Sequence, residues 1–316
     1  MEPTGMLHPG EMAVQDLAHE ADRGRPMARM LSPTIPDRFR PILETQHWLA
    51  IGSVDADGMP WASVLFGSAE GWAVPATGGA SVSLDLGTAP IHAADVLDQN
   101  LRDDPRLAIL AVDLATRKRI RINGRVTRRT DDRLDVAVEQ AFPNCPKYIQ
   151  RRIASPAVAS GSSSATPSLS SRLGPDQRRL ITAADTCFVA SVNRDAGADV
   201  SHRGGPPGFV RCEDGDQLRM PDYPGNSLFN TLGNLHRTPR AGLTFVDFAD
   251  GRVLQVAGST TLDFGPPPAD PDPTEPTGGT GRWWALRVET VRDWRLPAAL
   301  NWSFIDASPY NPPPAA

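Results

Sequence analysis

Two stretches of this chain repeat one another. Around Ser53 it reads LAIGSVDADGMPWASVLFG, and around Ser191 it reads FVASVNRDAGADVSHRGGPPGF; each is an apolar strand, a polar Asp/Gly turn and a returning strand. Further on, LRDDPRLAILAVDLATRKRIRINGRV (101–126) is answered by LHRTPRAGLTFVDFADGRVLQVAGST (235–260). Ser53 and Ser191 are 138 residues apart, and the pairs Asp113/Asp247 and Gly124/Gly258 are each 134 apart. A near-constant spacing in two blocks implies two copies of one β-rich module, with a short length change between the blocks.

At 316 residues the chain is long enough for two domains, each able to bury its own core. A net charge of −5 offers no global field for nucleic acid or an anionic membrane, so neither is expected as a partner. The basic run RKRIRINGRVTRR (117–129) is a local exception whose alternation reads as the wet face of a strand. Cys145, Cys187 and Cys212 form no C-x-x-C pair and no zinc spacing, and so odd and sparse a set fits a reducing cytoplasm. The histidines make no H-E-x-x-H or i, i+4 pair, so no metal is expected. The charged N-terminus has no apolar core region, and no stretch approaches the length of a membrane span. The expectation is a soluble cytoplasmic protein.

Four segments are read along the chain: a helical leader (1–36), a first module (37–152), a Ser/Pro/Ala-rich linker (153–175) and a second module (176–316). The leader is loosely periodic over 11–31, interrupted by Gly24 and Pro26. In the first module the pattern predicts a short helix at 38–46 and strands at 48–54 and 61–66. A helix at 88–102 follows, with Thr88 as cap and Pro90 in its first turn, then strands at 106–113 and 118–128 and a helix at 131–141. The second module reads as a helix at 176–184, strands near 186–193, 198–203, 208–212 and 217–220, a helix at 227–237, and strands at 241–248, 252–262 and 283–295. No β-α-β rhythm is present, so the fold class is mainly β (α+β), two tandem barrel-like modules with short flanking helices.

Chemistry concentrates in SHRGGPPGFV (201–210) and PDYPGNSLFNTLGNLHRTPRAGLTFVDF (221–248). Gly204, Gly205 and Gly208 let a backbone pass close to a ligand or take positive φ. Arg203 ends a strand, where its guanidinium suits phosphate or carboxylate. Gly225, Asn226 and Ser227 are read at a helix start, where free N–H groups favour an anion. The same residues also permit a plain Gly/Pro loop and an ordinary Asn/Ser cap.

The order strand, Asp/Gly turn, strand ending in S-x-R-G-G-x-P-G-F, then P-D-Y-x-G-N, G-N-L, x-P-R-x-G-L and F-x-D-F resembles the pyridoxamine 5′-phosphate oxidase-related flavin-binding proteins. The string Asn144-Cys145-Pro146-Lys147-Tyr148-Ile149 is similar to that of a tandem subgroup, and the resemblance spans 39–152 and 176–310, with the terminal SPYNPP. It implies split β-barrels holding FMN between two barrels, paired here either within one chain or in a homodimer. It implies cofactor contacts from Ser201, Arg203, Asn226, Ser227 and either Asn230 or Asn234, with Gly204 and Gly225 beside them. Two departures stand out. The oxidase branch places a Lys in an S-R-K string where this chain has Gly225-Asn226-Ser227, which leaves the phosphate to Arg203, helix N–H groups, or Lys147, Arg151 and Arg152. The subgroup's L-R-W is here Leu300-Asn301-Trp302.

The resemblance implies an FMN-dependent oxidoreductase acting on a small-molecule substrate by hydride or electron transfer, with NADH or NADPH as candidate donor. The alternative is a non-catalytic carrier of flavin, deazaflavin or haem; FAD is a further alternative cofactor. His202 is the candidate catalytic group and His236 a second proton donor, each against a packed or solvated histidine. Cys145 reads as a redox thiol or an inert one, and Lys147 as an anion partner rather than a Schiff base. Trp283, Trp284, Trp294 and Trp302 stack on a ring or simply pack. Asp113 and Asp247 need only accept turn N–H groups.

Overall fold

The computed structural model describes residues 6–156, 166–265, 268–296 and 300–313. The N-terminal segment carries α1 (Pro9–Leu17) and α2 (Ala21–Gly24). The first module holds α3 (Arg40–Glu44), β1 (Trp48–Val54), β2 (Pro60–Phe66), β3 (Ala73–Pro75), β4 (Ser81–Asp85), α4 (Leu97–Asp103), β5 (Arg106–Asp113), β6 (Lys118–Arg129) and β7 (Arg133–Pro143). Next come β8 (Arg151–Pro156) and β9 (Ser168–Ser170). The second module holds α5 (Pro175–Ala183), β10 (Thr186–Asn193), β11 (Gly197–Gly204), β12 (Arg211–Glu213), β13 (Gln217–Pro221), α6 (Asn230–Arg237), β14 (Arg240–Val246), β15 (Arg252–Phe264), β16 (Arg282–Arg295) and β17 (Leu300–Asp306).

The duplication is written in the topology. One antiparallel sheet runs β2-β1-β5-β6-β7-β4-β3, the other β11-β10-β14-β15-β16-β13-β12, the same order strand for strand. The repeated Gly124 and Gly258 mark matching bulges, where the register of β6 and of β15 shifts. A Cβ on Gly124 would stand 2.0 Å from the Ala137 carbonyl oxygen, and one on Gly258 1.9 Å from that of Arg287. Only glycine lets the backbones approach so closely at a bulge. Asn100 donates to Ser53 Oγ at 2.9 Å, and Asn234 repeats the contact with Ser191 Oγ at 3.0 Å.

The two sheets face each other across a shared core. Every residue of β1 and of β10 is buried, because each strand is apolar on both faces. Leu49 and Ile51 enter the first module's core, and Cys187 and Val189 the second's. Trp48, Ala50 and Val54 point the other way, onto Phe188, Ala190 and Val192 of the opposing module. Burial of each such large side chain contributes roughly 1.5–3 kcal/mol, so the pairing is held by the hydrophobic effect. Where the backbones cross, a Cβ on Gly242 would lie 2.3 Å from the Pro60 carbonyl oxygen.

Three readings need correction. Residues 131–141 form strand β7, not a helix: Leu134 and Val136 are buried on one face, and the strand is hydrogen-bonded between β6 and β4. The helix read at 88–102 shrinks to α4; Thr88 closes a turn on Asp85, and Asp95 accepts from Leu97 N–H at the true helix start. The tract read as linker contains β8, which pairs with β17 in a two-stranded ribbon, and β9, which joins the edge of β16. Its residues 157–165 lie outside the described residues. Among the described residues no helix is long and apolar enough to cross a membrane.

The N-terminal segment is packed, not trailing. Val14 of α1 is fully buried in the second module's core and α1 lies against α6. Ala28 and Leu31 are buried with Phe142 and Leu228.

Candidate functional site

A cavity opens where β6 of the first module meets the C-terminal end of β11 and the loop before α6. Its walls come from both modules, from the 144–148 string and from the N-terminal segment. Five cationic side chains line it (Arg119, Arg121, Lys147, Arg203 and Arg282) against the carboxylates of Glu20 and Asp222. The cavity volume is about 100 Å³.

Arg119 and Arg121 are the residues that the sequence reading misplaced. They alternate with Ile120 and Ile122, which enter the first module's core, so both arginines stand on the opposite face. That face is the inter-module face and not a wet one: Arg119 and Arg121 are each 8% exposed. Arg121 pairs with Asp199 of β11 at 3.3 Å. Arg119 donates to the Cys145 carbonyl at 3.0 Å and to His202 Nδ1 at 3.2 Å, and no carboxylate among the described residues pairs with it. Burial lowers its pKa to about 10. A desolvated guanidinium without a counter-ion is costly, and an anion in the cavity would relieve that cost.

His202 sits behind this pair. Burial and the Arg119, Arg203 and Arg121 guanidiniums hold its pKa well below the usual value, so the ring is neutral. Arginine can only donate, so Nδ1 accepts and the proton resides on Nε2, which is buried and has no hydrogen-bond partner among the described residues. His202 therefore offers a neutral N–H hydrogen-bond donor to the cavity at neutral pH. His236 is exposed near the end of α6.

Arg203 lines the cavity, with Nη1 on Asp222 at 3.3 Å and its buried Nε without a hydrogen-bond partner among the described residues. Asp222 is shared with Arg282, whose Nε lies 2.9 Å away. Tyr148 stacks on Tyr223 with ring centroids 4.7 Å apart, giving one wall a flat apolar face.

Of the other candidates, Gly204, Gly225, Asn226, Ser227, Asn230 and Lys147 also line the cavity. Ser201, Asn234 and Arg151 do not. Ser201 is fully buried on Thr231 at 3.0 Å, Asn234 is spent on Ser191, and Arg151 pairs with Asp306 at 3.3 Å. Arg152 pairs with Asp185 at 2.6 Å. The space beside Gly204 is taken by the Tyr148 carbonyl, 2.0 Å from where a Cβ would be, so a chain crossing requires that glycine. A Cβ on Gly225 would meet only the Tyr223 carbonyl, 4.0 Å away. Gly225, Asn226 and Ser227 are loop, since α6 begins at Asn230. Trp302 packs on Phe248 and Trp48, and Trp284 and Trp294 are buried in cores, so these tryptophans pack. Trp283 carries the Arg211 and Arg219 guanidiniums on its ring. Asp113 and Asp247 accept turn N–H groups at 2.9 Å, as expected. The 144–150 string is an anchor: Gln150 accepts from Ser308 N at 2.7 Å and Asn311 Nδ2 at 3.0 Å, tying the C-terminal turn to the cavity rim.

The matching place in the other half of the pseudo-symmetric pair is filled. Val253 and Gln255 stand before Gly258 as Arg119 and Arg121 stand before Gly124. Gln255 Nε2 donates to the Ala62 carbonyl at 2.6 Å and to Ser63 Oγ and Asp95 Oδ2 at 3.2 Å. Ser63 donates to Asp95 Oδ1 at 2.6 Å, and burial pushes the Asp95 carboxyl up to about 6. One half carries cations around a cavity; in the other, Gln255 and Ser63 fill the matching place against Asp95. Among the described residues no group of three or more His, Cys, Asp and Glu is placed to hold a metal.

No curated protein matches the chain. Among solved structures, HupZ of Group A Streptococcus is 14% identical with a TM-score of 0.30, over 41% of this chain and 98% of that one. An F420 reductase is 14% identical with a TM-score of 0.24 over 34% and 95% of the two chains. An FAD-binding protein from Mesorhizobium loti is 11% identical with a TM-score of 0.28 over 41% and 98%. At these scores none of them bears on what this chain binds. The sequence profile described as pyridoxamine 5′-phosphate oxidase, however, matches residues 35–160 and again 173–295. Two tandem matches that fall on the two sheets and cover most of the sequence lead to one conclusion: the chain belongs to the pyridoxamine 5′-phosphate oxidase family.

Proposed function

We propose that this protein is a flavin-dependent oxidoreductase that holds one FMN per chain in the cavity between its modules and acts on a small-molecule substrate. The observation that carries the reading is Arg119: a buried guanidinium without a carboxylate partner, on a cavity also lined by Arg121, Arg203 and the free Nε2–H of neutral His202. That donor set suits a phosphate, which accepts charge-assisted hydrogen bonds on several oxygens. Arg119 and Arg203 would hold the phosphate, Asn144 and Asn226 would meet polar edges, and the Tyr148–Tyr223 face would border the ring. A bound flavin supplies the hydride or electron transfer itself. The protein's part is to neutralise the phosphate, orient the group and exclude water through the shared core.

FAD, a deazaflavin or haem are alternative occupants, and a carrier without turnover is the alternative role. The test is identification of whatever chromophore co-purifies, followed by Arg203→Ala. Flavin absorbance bleached by NADH or NADPH supports the enzyme, and a yellow protein that no reductant bleaches supports the carrier. A Soret band means haem. Unchanged flavin occupancy in Arg203→Ala removes Arg203 as an anchor, and a colourless protein that takes up no FMN sinks the reading.

A further inference from the structure

The cavity is tighter than ligand sites usually are. Small-molecule sites usually measure about 300–1,000 Å³, against about 100 Å³ here. Part of the missing room is taken by Glu20, which reaches the cavity from the turn between α1 and α2. One Glu20 oxygen accepts from Arg282 Nη1 at 2.7 Å, and the other from Ser227 Oγ. A carboxylate gripped by a hydroxyl and a guanidinium is bound as a ligand's acidic group would be.

We propose that Ser227 and Arg282 form a second anion subsite of this cavity, that Glu20 is its internal occupant, and that the carboxylate or phosphate of an incoming substrate displaces it. The proposal rests on the reading that the cavity takes an anionic ligand.

Three further observations point the same way. Glu20's neighbours also hold the loop before α6: Gln15 Nε2 donates to the Ser227 carbonyl at 3.1 Å and Arg23 Nη2 to that of Gly225 at 3.2 Å. The loop they hold is strained, with Ser227 at φ 59° and Phe229 at φ 60°. Left-handed backbone is unfavourable for residues other than glycine, and most so for bulky ones, and it persists where surrounding contacts impose it. Finally, the segment is pinned at Val14 and again at Ala28 and Leu31, while His19, Asp22 and Arg23 of the turn between are exposed and His19 stands at φ 55°. Release of Glu20 would therefore move this turn while Val14, Ala28 and Leu31 stay seated. Gly24 marks the contact: a Cβ there would stand 2.3 Å from the Ser227 carbonyl oxygen.

The test uses the full chain and two probes, inorganic phosphate and FMN, titrated into wild type, Glu20→Gln, Gly24→Ala and the double variant Glu20→Gln/Ser227→Ala. Melting temperatures confirm that each variant is folded. Phosphate should bind Glu20→Gln about tenfold or more tightly than wild type, because an internal charged competitor is gone. Gly24→Ala should shift affinity in the same direction by wedging the turn away, and stands in if Glu20→Gln does not fold. The double variant should lose the gain. In wild type, saturating phosphate should speed amide exchange over 19–24. Equal or weaker phosphate binding by folded Glu20→Gln, a gain that survives in the double variant, or unchanged exchange over 19–24 overturns the proposal. If the phosphate pattern holds but no variant binds FMN, the flavin reading falls and the subsite stands.

Discussion

Replacing Arg119 by methionine separates what its guanidinium does for a ligand from what it does to the fold. The residue is 8% exposed, and burial lowers its pKa to about 10, well below the usual guanidinium value. That shift corresponds to ~3 kcal/mol against keeping the charge in the ligand-free protein. Set against it are hydrogen bonds to the Cys145 carbonyl and to His202, worth about 1 kcal/mol each. Methionine keeps much of the chain length and removes the charge. Ligand-free Arg119→Met should thus be as stable as wild type or more so, by up to about 2 kcal/mol. An anionic ligand should meanwhile lose about 1.5–3 kcal/mol, or roughly 10–150-fold in affinity. Urea denaturation of ligand-free protein and FMN titration by fluorescence quenching measure the two effects. A variant at least about 2 kcal/mol less stable with unchanged FMN affinity would refute the reasoning, since Arg119 would then be a structural residue.

Three other outcomes are expected. Asn234→Ala and Asn100→Ala should each lose about 1–3 kcal/mol of stability through an orphaned serine, with FMN affinity per folded molecule unchanged; loss of FMN binding at an intact melting temperature in Asn234→Ala would contradict its placement. Burial raises the Glu11 carboxyl from 4.5 to about 7. A carboxyl pKa raised by folding contributes stability below about pH 4.5 that is lost as pH rises through about 7, up to ~3 kcal/mol. Glu11→Gln should flatten the fall in stability over that window, and a parallel pH profile would count against it. Gly242→Ala drives a methyl into the Pro60 backbone where the modules cross, so it should cost about 1–3 kcal/mol or more; a neutral result by thermal denaturation would question the module packing.

How much of this was legible in the sequence depends on which physical signal each element leaves. The duplication was visible because bulge glycines and strand apolarity repeat, and the two sheets have matching strand order. Strand β7 was read as a helix because Leu134, Val138 and Ala141 satisfy a helical spacing as well as Leu134, Val136 and Val138 satisfy a strand's. The ribbon of β8 and β17 left little trace, since its exposed Ile153, Phe304 and Ile305 give no one-sided pattern. Arg203, Gly225, Asn226, Ser227, Asn230 and Lys147 stand out in the sequence by motif, and all six line the cavity. Alternation in β6 put Arg119 and Arg121 on one face but did not say which, because that depends on the other module, at His202 and Asp199, 83 and 78 residues further along. Glu20 was out of reach for the same reason: its partners Ser227 and Arg282 lie in the other half of the sequence.

Counting bound ligands tests the central claim most directly. Native mass spectrometry of the full chain saturated with FMN should show one flavin per chain, because Gln255, Ser63 and Asp95 close the pseudo-symmetric place. The same measurement on Arg119→Met/Arg203→Ala should show the flavin lost while the chain stays folded. Two flavins per chain, or one retained undiminished in the double variant, would contradict a single arginine-lined site between the modules.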